Sequence, residues 1–170
     1  MRAPPEQRRP TAGLTYRESH IMTLQERITP DLKAAMRAKD QAALRGIRAI
    51  KNAILLQQTD GSGETLDEAG EIALLQKLVK SRQESLEIYE KQGRDDLAQP
   101  EREEIEVISR YLPEQLSDEK LEQLVKAVIE QTGATSMRDM GKVMGQANAR
   151  AAGRADGKQI AATVKRLLGQ

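Results

Sequence analysis

At 170 residues, with 38% apolar and 31% charged residues and a net charge of +1, the chain can build one or two small domains with a heavily charged surface. It has no cysteine and one histidine, His20. That excludes disulfides, thiolate metal sites and a cysteine nucleophile, and leaves no imidazole set for zinc or iron. The aromatics are Tyr16, Tyr89 and Tyr111 alone, so the core is aliphatic and lacks a ring platform for stacking single-stranded bases.

Residues 1–21 are rich in Pro and Arg and show no periodicity. They read as a disordered leader or a non-native extension. They contain no apolar h-region, so they are no secretory signal. No run approaches the roughly 18 apolar residues of a membrane span. The compartment expected on this basis is the cytoplasm.

Met22 looks like a second start, and Thr23 with Glu26 has capping-box spacing. A first helix over 24–39 places Leu24, Ile28, Leu32, Ala35 and Met36 on one face. Pro30 falls near its first turns, where a missing N–H does least harm. A second helix over 41–58 turns Leu44, Ile47, Ile50 and Ile54 inward and carries Arg45, Arg48 and Lys51 outward. A loop at Asp60-Gly61-Ser62-Gly63 follows. The third helix, 67–92, has an apolar seam of Ile72, Leu75, Val79, Leu86 and Tyr89 interrupted by Arg82, and Gly93 ends it. An arginine in such a seam either snorkels to a carboxylate or meets a partner. Asp95 to Ala98 reads as a turn, with Pro100 opening a fourth helix at its first turn. Ile105, Ile108, Tyr111 and Leu112 face inward, and Pro113 marks the boundary.

Beyond Pro113 come three short helices. Ser117 caps the fifth, whose stripe is Leu121, Leu124, Val125, Val128 and Ile129, and Gly133 stops it. Ser136 and Asp139 repeat the capping spacing before a sixth helix with Met140, Val143, Met144 and Ala147 inward. Asp156 caps a seventh, with Ile160, Val164, Leu167 and Leu168 inward. The fold class is all-α. A leader over 1–21 precedes an N-terminal helical domain of about four helices over 22–112 and a three-helix C-terminal module over 113–170.

Charge is uneven along this order. From Asp95 to Glu130 eleven acids face four bases. From Arg138 onward seven bases oppose only Asp139 and Asp156, a balance of +5 over 33 residues. Such asymmetry admits a polyanion at the C-terminal end, against the plainer reading of a solvated basic surface.

Motifs for chemistry are lacking. Gly141-Lys142 is followed by Val143 rather than the Ser or Thr that a phosphate loop needs for magnesium. Gly141 and Gly145, four apart, are read as packing residues that let another helix approach. Glu101, Glu103, Glu104 and Glu106 read as a solvated helix N-terminus rather than an acid–base pair. No nucleophile elbow and no histidine base exist, so no catalytic residue, metal site or cofactor is assigned. Lys142, Arg150, Arg154, Lys158, Lys165 and Arg166 are the candidate phosphate contacts. Gly153 and Gly157 loosen the loop among them, and the amides at the start of the seventh helix are already committed to Asp156.

Three stretches carry a resemblance: Tyr111-Leu112-Pro113-Glu114-Gln115-Leu116-Ser117, Asp139 to Gly145, and Ala155-Asp156-Gly157-Lys158 with Val164-Lys165. Together with Lys80 to Tyr89 and Gly93 to Ala98 they resemble the GatB/YqeY domain family, stand-alone branch, from about Met22 to the C-terminus. The resemblance implies an all-helical protein whose last module is similar to the tail of the B subunit of the glutamyl/aspartyl-tRNA amidotransferase, which helps hold tRNA. The catalytic cradle of that subunit is missing here. The expectation is a non-catalytic tRNA-associated accessory protein. Two alternatives remain: a module docking on an aminoacyl-tRNA synthetase or amidotransferase, and a component of a carbon–nitrogen ligase using glutamine as amide donor. Oligomeric state is not fixed by the sequence.

Overall fold

The computed structural model describes residues 22–59 and 66–169. The expectations for residues 1–21 and for the loop at Asp60 to Gly63 lie outside these residues. The described chain forms seven α-helices and one 3-10 turn, with no strand among the described residues. The helices are α1 (Leu24–Ala38), α2 (Gln41–Thr59), α3 (Glu68–Lys91), α4 (Asp95–Ser109), α5 (Asp118–Thr132), α6 (Met140–Ala151) and α7 (Gly157–Leu168). The turn at Met137–Asp139 leads into α6.

Local chemistry sets most of these ends. Thr23 and Glu26 form a reciprocal capping box at α1, as do Ser136 with Asp139 and Asp156 with Gln159. The Asp67 and Ser117 side chains accept from Gly70 and Lys120 amides. Gly93 and Gly133 take φ of +66° and +64° just past α3 and α5, where a Cβ would be strained.

The fourth helix differs from expectation. It begins at Asp95, not at Pro100, which lies inside it. Ala98 is fully buried and pins the first turn by packing. Asp95 and Asp96 sit at the positive end of the helix, which favours their charge. The four glutamates consequently lie in the middle of α4 and not at its N-terminus.

Apolar side chains gather into two clusters. The first holds Leu24, Ile28, Leu44, Ile47, Ile50, Ile54, Leu75, Ile108 and Tyr111 from α1–α4 and its end. Leu74 belongs to it too, a residue the seam reading passed over, whereas Met36 is exposed. The second holds Leu121, Val125, Val128, Val143, Ala147, Ile160, Val164 and Leu168 from α5–α7. In the first, α4 packs on both α2 and α3. Gly46 makes the closest approach: a Cβ there would stand 2.6 Å from the Val107 Cγ1.

Arg82 resolves the interruption in α3. Its Nε donates to the Glu104 Oε2 at 2.8 Å and its Nη1 to the Leu78 carbonyl. Both side chains are less than one-fifth exposed. Arg45 of α2 reaches Glu103 and approaches Glu104, so one acidic turn of α4 ties two neighbouring helices. Of the four glutamates read as solvated, Glu103 and Glu104 are therefore interhelix partners, while Glu106 stays exposed and pairs with Arg110 of its own helix. Burial, then the neighbouring Glu104, raises the Glu101 carboxyl above the ordinary range, opposed by Arg82.

Candidate nucleic-acid interface

The six basic candidates divide by what they touch. Lys158 Nζ lies 3.1 Å from the Glu87 Oε1 of α3. Arg166 Nη2 lies 2.9 Å from the Glu122 Oε2 of α5, which also takes Lys126. Hydrogen bonds from Lys126 and Arg166 hold the Glu122 carboxyl below the usual range. These two cations are already opposed by a carboxylate.

The others meet neutral acceptors only. Lys142 Nζ donates to the Thr132 carbonyl at 3.2 Å. Arg150 donates to the Gln131 side-chain oxygen. Both therefore reach from α6 to the last turn of α5, where free carbonyls favour a cation. Arg154 folds back on α6, its Nε donating to the Ala151 carbonyl and its Nη2 to the Arg150 carbonyl, each at 3.2 Å. Lys165 stands in solvent. Among the described residues no carboxylate lies within ion-pair range of Lys142, Arg150, Arg154 or Lys165.

Next to Lys142, and largely on the opposite side of the helix from Arg150, α6 shows a bare face. Gly141, Gly145, Asn148, Ala149 and Ala152 are exposed, and Asn148 folds its amide onto the Met144 carbonyl. A Cβ added at Gly141 or Gly145 would meet nothing within 4 Å. This corrects the packing reading of the two glycines: no helix of the described chain approaches them. Small-residue spacing is the same for an internal and an external close approach, so the sequence did not separate them.

The start of α7 is closed. The Asp156 Oδ1 accepts from the Gln159 amide at 2.7 Å and the Gln159 side chain returns to the Asp156 amide. The loop before it is fixed from outside: Gln115 donates to the Gly153 carbonyl at 3.1 Å, and the Leu116 amide to the Arg154 carbonyl at 2.6 Å. These holding contacts were not legible, because they join residues roughly forty apart in sequence.

Elsewhere a cleft of about 650 Å³ lies between α1, the start of α2 and the end of α4. Two of its charged groups, Asp31 and Arg27, hold Tyr111, while Asp40 accepts from the Ala43 amide and Arg110 pairs with Glu106. The phenol donates to the Asp31 Oδ2 at 2.6 Å, and the Arg27 guanidinium sits 5.5 Å from the ring centroid. Burial, then the bond to Asp31, pushes the phenol far above its usual range, so it stays protonated at neutral pH. No group of three or more His, Asp or Glu side chains that could hold a metal occurs among the described residues, and no described helix is long and apolar enough to cross a membrane.

The sequence model of the family described as Yqey-like protein matches residues 25–168. Similar proteins include "Altered inheritance of mitochondria protein 41, mitochondrial" of Pyrenophora tritici-repentis, 32% identical over 146 residues, which are 84% of this chain and 80% of that protein. The protein of the same name from Meyerozyma guilliermondii is 35% identical over 129 residues, 69% of this chain and 67% of its own length. That of Lachancea thermotolerans is 40% identical over 82 residues, 48% of this chain, and the match spans only 44% of that relative. These names correct the expected cytoplasmic compartment. Lack of a secretory signal and of cysteine does not separate cytoplasm from a mitochondrial interior, and the relatives are named as mitochondrial.

Proposed function

This chain belongs to the Yqey-like protein family, and we propose that it acts as a non-catalytic tRNA-associated binding module through α6 and the loop that follows it. The observation that carries this reading is the contrast among its cations: Lys142, Arg150 and Arg154 rest on neutral acceptors, and Lys142 flanks an exposed face of small residues. Desolvating such a cation against a phosphate breaks no ion pair. The bare face lets a sugar–phosphate backbone come close to the helix, as glycine does wherever chains approach. With no ring platform there, recognition rests on backbone and shape, which suits a folded RNA better than a single strand. Lys165 extends the same charge, and Lys158 and Arg166 join it only by leaving Glu87 and Glu122.

The test is a filter-binding titration with tRNA across salt. Binding at low salt that weakens linearly on a log–log plot, and is lost on joint Arg150→Glu and Arg154→Glu substitution, supports the reading. Absence of binding at low salt, or binding indifferent to that double reversal, sinks it.

A further inference from the structure

The loop carrying the proposed contacts is also where the two clusters touch. Helices α1–α4 do not pack along α5–α7 to any extent. The meeting point is α3 against residues 153–158. Gly153, at φ +79°, is seated so closely on Ile72 that a Cβ would stand 2.2 Å from its Cγ2. Gln76 donates to the Ala155 carbonyl at 3.5 Å, at the limit of a hydrogen bond. Lys158 closes the row on Glu87. Ile72, Gln76 and Glu87 lie along one face of α3 at helical spacing. The joint is thus one apolar seat, one long hydrogen bond and one ion pair whose side chains are both more than half exposed.

We propose that this joint is a latch on the binding surface: a polyanion draws Lys158 away from Glu87, and the α5–α7 cluster swings off α3 as the loop is engaged. The proposal rests on the binding role given above. An exposed ion pair is weak, so a phosphate competes with Glu87 readily. The seat on Ile72 is confined to one backbone position, so it breaks as a unit. Because ligand and latch share Lys158, loosening the latch strengthens binding by the fraction of molecules it frees.

Two variants separate charge from seating. Ile72→Ala loosens the seat with no change of charge, and Glu87→Gln removes the ion pair. Glu84→Gln, whose nearest cation is Lys80 on the same helix, is the charge-matched control. In tRNA filter binding with the full chain, Glu87→Gln is expected to tighten affinity about two- to fivefold, the range an exposed ion pair supplies, and Ile72→Ala to tighten it in the same direction by raising the freed fraction. Glu84→Gln gains no more than general electrostatics give. The chain has no cysteine, so spin labels at S81C and A162C report the distance between α3 and α7 without background. In the free protein, Ile72→Ala should broaden that distance, and in the wild type saturating tRNA should lengthen it. If tRNA binds but Ile72→Ala leaves affinity unchanged, or the distance does not move at saturation, the latch is wrong. If tRNA does not bind while Ile72→Ala still broadens the distance, the binding role fails and the joint stands. If neither happens, both fall. Circular dichroism of each variant confirms that the helices are intact.

Discussion

Arg45, Arg82 and Arg102, among helices α2–α4, end on carboxylates, whereas the arginines of α6 and its loop end on neutral oxygens. Arg82 and Arg45 converge on Glu103 and Glu104, and Arg102 spans Asp95 and Glu90. Arg150 and Arg154 find an amide and two carbonyls. The first pattern ties helices together and leaves little net field at the contact. The second leaves the positive charge uncompensated by any carboxylate of the described chain. The difference teaches that a basic count alone does not locate a binding surface. What each cation already touches decides it.

The two clusters also differ in how independently they can fail. Ile50→Ala and Ile160→Ala, one fully buried residue from each core, should each cost about 2–5 kcal/mol. In a Tyr16→Phe background the remaining tyrosines, Tyr89 and Tyr111, both lie before α5, so tyrosine emission follows the first cluster. Ile160→Ala is expected to lower the urea midpoint by circular dichroism while leaving the tyrosine transition in place. A common shift of both signals would show that the clusters unfold as one.

Glycine gives the next contrast, because two helical glycines should respond with opposite sign. Gly46→Ala drives a methyl into Val107 and should destabilise by about 1–3 kcal/mol. Gly145→Ala meets nothing and should stabilise by about 0.5–1 kcal/mol, the helix-propensity difference. A loss of stability at Gly145 on thermal melting would place a packing partner there and break the account of α6.

Arginine truncation gives a similar pair. Arg82→Ala strips a charged hydrogen bond from a shielded Glu104 and should cost about 1–3 kcal/mol. Arg150→Ala, exposed and on a neutral acceptor, should change stability by less than about 0.5 kcal/mol. Equal costs in chemical denaturation would erase the distinction between the two patterns.

The smallest expected effect concerns pH. Glu101 has a folded pKa above its unfolded value of 4.5, so the folded state binds more protons than the unfolded one in the window between the two. Stability from this group therefore falls as pH rises through that window, and the cost is fully present above it. Glu101→Gln should raise the urea midpoint at pH 7, and the gain should shrink as pH drops toward 4.5. A gain that grows on acidification would reverse the sign.

Much of the fold could be read from residues alone. The capping pairs at Thr23 and Ser136, the cap at Asp156 and the glycines at 93 and 133 mark helix ends by local chemistry, and each falls where the sequence put it, although the Gln159 partner of Asp156 was not read. The start of α4 was misread because Pro100 is a strong local signal, while burial of Ala98, a tertiary effect, overrides it. The candidate site was legible as a set of cations but not as an arrangement. Nothing in the sequence says that Lys158 faces Glu87, 71 positions away, or that Gln131 receives Arg150. The exposure of Gly141 and Gly145 was equally hidden, because a glycine pair four apart carries no sign of which neighbour it accommodates.

Binding by charge-matched double reversals bears most directly on the central claim. Arg150→Glu with Arg154→Glu changes the same formal charge as Arg48→Glu with Lys51→Glu on the exposed side of α2. In tRNA filter binding across salt, the first pair is predicted to abolish tight binding and to lower the salt slope by about two, one for each lost phosphate contact. The second pair is predicted to weaken binding only slightly and leave the slope unchanged. Equal losses from the two pairs, or no loss from the first, would contradict the account.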